Sequence, residues 1–212
     1  GHIQMEATEE RPFMFPSGFF DNFLNDPRSV VIFYSKERDG DLSKSPGTSS
    51  QPLQNVIIRG SHITKIMASD AWVINGNLTL ENGATLDNSA YNTPIRIGGN
   101  WIDTTGSVGY VPGRSTVEFN GDSTQRILIK RASPQQFYGL AINNSGAAGS
   151  DSVIVGLNPT DGLKSFEITQ NLNLVKGYLI VDTTLHAPVL ANTATATGAS
   201  AASFVSGPIG KQ

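Results

Sequence analysis

Asp87, Asp103 and Asp122 are the carboxylates whose spacing could do chemistry. Cleaving a glycosidic bond takes two carboxyl groups a few ångströms apart, one giving a proton and one activating water. In a stack of strands such a pair comes from adjacent layers. Asp103 and Asp122 are separated by close to one layer of chain, and Asp87 lies a further part-layer back. The competing reading has each aspartate accepting hydrogen bonds from its own turn backbone, and we favour it. His62 and His186, the two histidines beyond the first residues, have no neighbours that would make a base–nucleophile pair. Two histidines without matched carboxylates do not build a metal site, so both read as surface or turn residues. No catalytic residue, metal or cofactor is therefore expected, and the chain leans away from being an enzyme. Trp72, Tyr91, Trp101, Tyr110 and Tyr138 could stack on sugar rings if they formed an exposed row. Trp72 and Trp101 equally suit the corners of a core. Tyr91 and Tyr110 lie beside turn residues, so Tyr91, Trp101 and Tyr110 are the candidate ligand-binding positions.

The elements that must carry these residues are short strands. The chain has 212 residues, enough to bury a sizeable core, and only 16% of them are charged. Gly, Ser, Thr and Asn dominate the polar positions, as in strand-and-turn proteins. No window shows sustained 3.6-residue periodicity with a cap and a helix-forming body. The net charge of −3 and a single small basic cluster, Arg126 with Lys130-Arg131, argue against a nucleic-acid partner. There is no cysteine, hence no disulfide framework or thiolate metal site. No apolar run approaches the ~18 residues that a membrane-spanning helix needs, so direct membrane insertion is not expected.

Strand candidates are Val56–Arg59, Trp72–Ile74 with Asn77–Leu80, Ile95–Ile97, Thr116–Phe119, Leu140–Asn143, Val153–Val155 and Asn171–Leu174. Most steps between them are about 20 residues, the length of one turn of a β-solenoid. Two windows repeat: Ile74, Asn77, Leu78, Leu80, Gly83 and Leu86 match Ile168, Asn171, Leu172, Leu174, Gly177 and Ile180 in offset. Asn75-Gly76, Asn82-Gly83, Gly98-Gly99, Asn120-Gly121 and Asp161-Gly162 follow or interrupt strands, and such pairs supply the positive φ of sharp corners. Alternation in Asn77-Leu78-Thr79-Leu80 points the leucines inward. A β-sandwich would share the alternation and the turns, but it does not require the spaced Asn-Leu-x-Leu-x-x-Gly, so the solenoid is preferred.

Residues 1–5 read as a vector-derived scar. Six of the ten phenylalanines fall within residues 1–33, interleaved with Pro12, Pro16 and Pro27. This apolar, aperiodic stretch reads as a cap over the open end of a stack, or else as part of a preceding module. With the polar loop 34–54 it makes an N-terminal segment over 6–54, ahead of a solenoid domain over 55–212 that is truncated at its C-terminus.

The motifs in order resemble a family of β-solenoid repeats. They are Ile74-x-Gly-Asn-Leu-Thr-Leu-x-x-Gly-Ala-Thr-Leu86, Ile97-Gly-Gly-Asn-Trp101, Gly113-x-x-x-Val-x-Phe-Asn-Gly121, Phe137-Tyr-Gly-Leu-x-Ile-Asn-Asn144, Asn171-Leu-x-Leu-x-x-Gly177 and Ser203-Phe-Val-x-Gly-Pro-Ile-Gly-Lys211. The family occurs in large secreted and cell-surface proteins of Bacteroidetes-type bacteria, many exported by type IX secretion. The resemblance covers roughly residues 55–211 and implies an all-β, right-handed parallel β-helix with the Phe/Pro-rich segment as cap or irregular part. It implies an extracellular or cell-surface, adhesin-like role without a shared catalytic motif. Partners would be a glycan or another surface protein. Because other parallel β-helices are pectinases and polysaccharide lyases, carbohydrate binding or polysaccharide degradation is the alternative. Arg126-Ile127-Leu128-Ile129-Lys130 echoes a pectinase Arg-Ile-Lys piece, but its companion Asp-Asp and Gly-His-Gly pieces are missing. Asp103-Thr104, Asp122-Ser123, Asp151-Ser152 and Asp182-Thr183 resemble short O-glycosylation acceptors of such bacteria.

Overall fold

The computed structural model describes residues 1–7, 13–42, 46–67, 70–106, 108–131, 134–156, 166–181 and 187–212. Its named strands all pair in parallel in three sheets, here I, II and III, stacked as a β-solenoid of about eight turns. The chain enters sheet I as β1 (His2–Glu6), passes the short helix α1 (Asp21–Leu24) and returns to sheet I as β2 (Val30–Tyr34). Then come β3 (Gly40–Asp41) in sheet II, β4 (Asn55–Arg59) in I, β5 (Ile63–Lys65) in II and β6 (Trp72–Ile74) in III. Two regular rungs follow in the order I, II, III. They are β7 (Leu78–Glu81), β8 (Thr85–Asp87) and β9 (Ile95–Ile97), then β10 (Trp101–Gly106), β11 (Gly109–Val111) and β12 (Thr116–Phe119).

From there the described strands alternate between I and III. They are β13 (Gln125–Arg131), β14 (Gln135–Asn143), β15 (Ser152–Val155), β16 (Phe166–Lys176) and β17 (Tyr178–Val181). Next, β18 (Val189–Leu190) and β19 (Thr195–Thr197) both lie on β16, and β20 (Val205–Ser206) and β21 (Gly210–Lys211) close the stack. Among the described residues sheet II ends at β11. Its last strand is finished by a side chain, since buried Gln135 donates from Nε2 to the Tyr110 carbonyl at 3.0 Å.

Parallel register sorts side chains into columns, because period-2 alternation repeats on every rung. Val31, Val56, Leu78, Trp101 and Ile127 form one inward column of sheet I, and Ile74, Ile97, Phe119, Ile142 and Leu174 one of sheet III. All ten are buried. An aromatic spine runs through the interior, with Trp101 edge-on to Tyr110 at 5.1 Å and to Phe137 at 5.2 Å, and Phe137 edge-on to Phe166 at 5.3 Å.

The stack has repeating layers, but the two windows that match in sequence occupy different sides. Leu78 lies in sheet I and Leu172 in sheet III, while Leu86 is buried in sheet II and Ile180 is half-buried in sheet I. What they share is local: inward leucines, then a glycine at φ 78 (Gly83) or 79 (Gly177). Rungs are also longer than 20 residues. Asparagines at the corner into sheet I recur after 22 and 23 residues, where Asn55 Oδ1 accepts from Asn77 N–H and Asn77 Oδ1 from Asn100 N–H.

The corner glycines differ from the expectation too. Of the four described pairs only Asn82-Gly83 takes the positive φ predicted, at 54 and 78. A Cβ on Gly98 would overlap the Asn75 carbonyl of the rung before, and one on Gly121 the Gly98 carbonyl. Glycine is needed there because successive corners stack in direct contact. Asp161-Gly162 lies outside the described residues.

Strand pairing crosses the boundary drawn at residues 54 and 55. Sheet I continues from β4 back through β2 to β1, so residues 2–6 are laddered strand. Residues 13–27 fill the end of the rung between β1 and β2. Phe13 is buried edge-on to Phe33 at 5.2 Å and its N–H donates to the Asp41 carbonyl, while Leu24 packs into the core and accepts from Gln54 Nε2.

Candidate functional site

The three aspartates are held apart. Asp87 faces outward on sheet II, where its Oδ1 accepts from Ser89 N–H at 2.8 Å. Asp122 is exposed at the corner between sheets III and I. Asp103 points inward from sheet I, between Leu80 and Ile129 in register, and is fully buried. Its Oδ1 accepts from the Thr105 N–H and hydroxyl at 3.0 and 2.8 Å. These are the local turn bonds of the competing reading, and no carboxylate pair for glycoside cleavage forms from this set. Asp122 instead joins Asn75, Gly98, Asn120 and Ser145 along a shallow polar groove of about 340 Å³.

The aromatic candidates divide. Tyr91 is 51% exposed, but Trp101 and Tyr110 are core residues, which corrects their assignment to a ligand face. Trp101 belongs to an inward column, and no sugar reaches it. Tyr110 was expected beside a turn and in the open. Its hydroxyl instead meets Ser115 Oγ at 2.8 Å, and Asn88 Nδ2 binds that Oγ at 2.8 Å and the Thr93 carbonyl at 2.7 Å. Burial pushes the Tyr110 phenol up to about 12, against the lesser pull of the Asn88 and Ser115 hydrogen bonds. Trp72 is buried as well, while Tyr138 is half-buried.

His62 lies on sheet II's rim, its Nδ1 3.9 Å from Asp39 Oδ1. Burial pulls the Asp39 carboxyl upward, but the Ile63 N–H and the Lys65 ammonium at 3.2 Å outweigh it and leave the group below its ordinary value. His186 and Asp182-Thr183 lie outside the described residues. Of the glycosylation candidates, Thr104 and Ser123 are exposed and Ser152 is buried.

A second cavity lies among residues outside the sequence candidates. Tyr34, Lys36, Arg59, Gly60, Ser61 and Asn82 line a space of about 500 Å³ where sheet I turns toward sheet II. Tyr34 and Arg59 are register partners on β2 and β4, and both face outward. The Arg59 guanidinium lies over the Tyr34 ring, 5.1 Å from its centroid. One terminal amine, Nη2, donates to Gln4 Oε1, whereas Nε is buried without a hydrogen-bond partner. Lys36 Nζ, half-exposed, is 4.0 Å from Glu37. The available signal was Arg59 at the outward phase of an apolar strand. Tyr34 and Lys36 were hidden in a stretch that reads as polar loop.

Compared with known protein families, with curated proteins and with solved structures, the chain matches none.

Proposed function

We propose that this chain is a non-catalytic structural and adhesive module of a bacterial cell-surface or secreted protein, presenting the long side of its solenoid to a glycan or another surface protein. The observation that carries this reading is the stack, with nine described strands in sheet I and eight in sheet III, one of them (β19) beside the main ladder. Each layer fixes the next, which gives a stiff, extended side face. That face is polar and tied to itself on sheet III, where Glu118 accepts from Arg96 Nε at 3.1 Å and from Asn143 Nδ2 at 2.7 Å, and Glu167 from Gln136 at 2.8 Å. The resemblance of the strand-and-corner motifs to type IX-associated solenoid repeats supports a surface location.

Carbohydrate binding remains within this reading and draws support from the cavity beside Arg59. Cleavage draws none from Asp87, Asp103 and Asp122, which lie on separate sides. The test is retention of labelled protein on arrays of glycans and bacterial surface proteins, with parallel assays for new reducing ends and unsaturated sugars. Retention without product is the expected result. Product from any polysaccharide would replace the adhesive reading with an enzyme, and retention on neither array would remove it.

A further inference from the structure

We infer that the cavity at the ends of β2, β4 and β7 is a binding site for the acidic group of a saccharide, a carboxylate or a sulfate, with Arg59 as its anchor. The inference rests on the reading of this chain as a surface-binding module. It adds the site and the ligand chemistry.

Arg59 is positioned but not satisfied. Tyr34 supports one face of the guanidinium and Gln4 holds Nη2, so little side-chain freedom is left to lose on binding. Its Nε has no partner, and a buried donor left unpaired is costly. An oxyanion in the cavity would accept charge-assisted hydrogen bonds from the guanidinium and from Lys36 Nζ. Among the described residues no carboxylate pairs with Arg59. Glu81, its register partner on the next rung, has Asn82 Nδ2 at 3.5 Å instead.

Lys36 adds a second cation to the same cavity, and Ser61 and Asn82 add groups that suit hydroxyls rather than apolar surface. A space of about 500 Å³ falls within the range of small-ligand sites. The chain's net charge of −3 does not favour a polyanion at long range, so affinity must come from these local contacts.

The experiment is calorimetric titration of the whole chain with an oligogalacturonate, a heparin-derived sulfated oligosaccharide and a neutral cello-oligosaccharide. One or both acidic ligands are expected to bind, and which one binds separates carboxylate from sulfate recognition. Arg59→Gln should weaken that binding at least tenfold and Lys36→Gln severalfold, with Arg96→Gln on sheet III as the unchanged control. Lys36 is exposed, so its variant tests the site even if Arg59→Gln folds poorly. Equal binding by wild type and both variants, or binding of the neutral ligand alone, overturns the site while leaving an adhesive surface in place. Binding to none of the three overturns it as well, and the arrays described above then decide the wider reading separately.

Discussion

Asp103 and Tyr110 show how little a residue's type says about its place. In β10 the alternation puts Trp101 inward, Ile102 outward and Asp103 inward, so a carboxylate enters the core while an isoleucine faces out. Thr105 makes that arrangement tolerable by donating twice to Oδ1. Tyr110 carries a consequence that can be measured. Its folded value of about 12 lies above the ordinary tyrosine value of 10.0, so between the two the unfolded chain loses the phenolic proton and the folded chain keeps it. Stability from this group is intact below pH 10 and is lost as pH rises toward 12, by up to about 3 kcal/mol. Urea unfolding midpoints should fall over that interval, and the fall should shrink in Tyr110→Phe. An equal fall in both proteins would remove Tyr110 as the cause.

Strands and corners obey a contact rule between rungs that their own sequences only partly declare. The corner into sheet I is held by Asn55, Asn77 and Asn100, each side chain accepting the backbone N–H one rung on, the last from Arg126 N–H at 2.8 Å. Asn77→Ala should cost about 1 kcal/mol, the usual scale for a lost side chain-to-backbone bond at an element's start. Gly98→Ala should cost about 1–3 kcal/mol, because the new methyl group meets the Asn75 carbonyl and forces the corners apart. Chemical denaturation of both variants checks these values. A neutral Gly98→Ala would mean that the corners are looser than their stacking implies.

For the molecule as a whole, stability comes from columns of apolar side chains that no single rung could bury. Leu78→Ala and Leu172→Ala remove fully buried side chains from two different sheets, and each should cost ~2–5 kcal/mol. A loss below about 1 kcal/mol at both would contradict the inward columns. The stack is also uneven from end to end. Among the described residues sheet II stops at β11, and at the far end β19 is exposed along its whole length and β18, β20 and β21 are two residues each. Backbone amides of β18–β21 should therefore exchange with solvent well before those of β7, β10 and β12, a gradient that hydrogen-exchange mass spectrometry would resolve.

The sequence by itself determined the all-β class, the layered stack, the strand cores of β4, β6, β7, β9, β12, β14, β15 and β16, and the inward phase of Leu78, Leu80, Leu172 and Leu174, because alternation and glycine corners are local properties. It did not determine the side of the solenoid on which each strand lies. Rungs of 22, 23 and 26 residues, and described strands that after β11 alternate between two of the three sheets, place similar motifs on different sheets. For the same reason only the tertiary structure turned Trp101 and Tyr110 inward, separated Asp87, Asp103 and Asp122, and exposed the strand order of residues 2–6 and 30–34. The Arg59 cavity belongs to this second group. Gln4 reaches Arg59 across 55 residues of chain, and Tyr34 sits one rung away, a closeness made by parallel stacking and invisible to any local pattern.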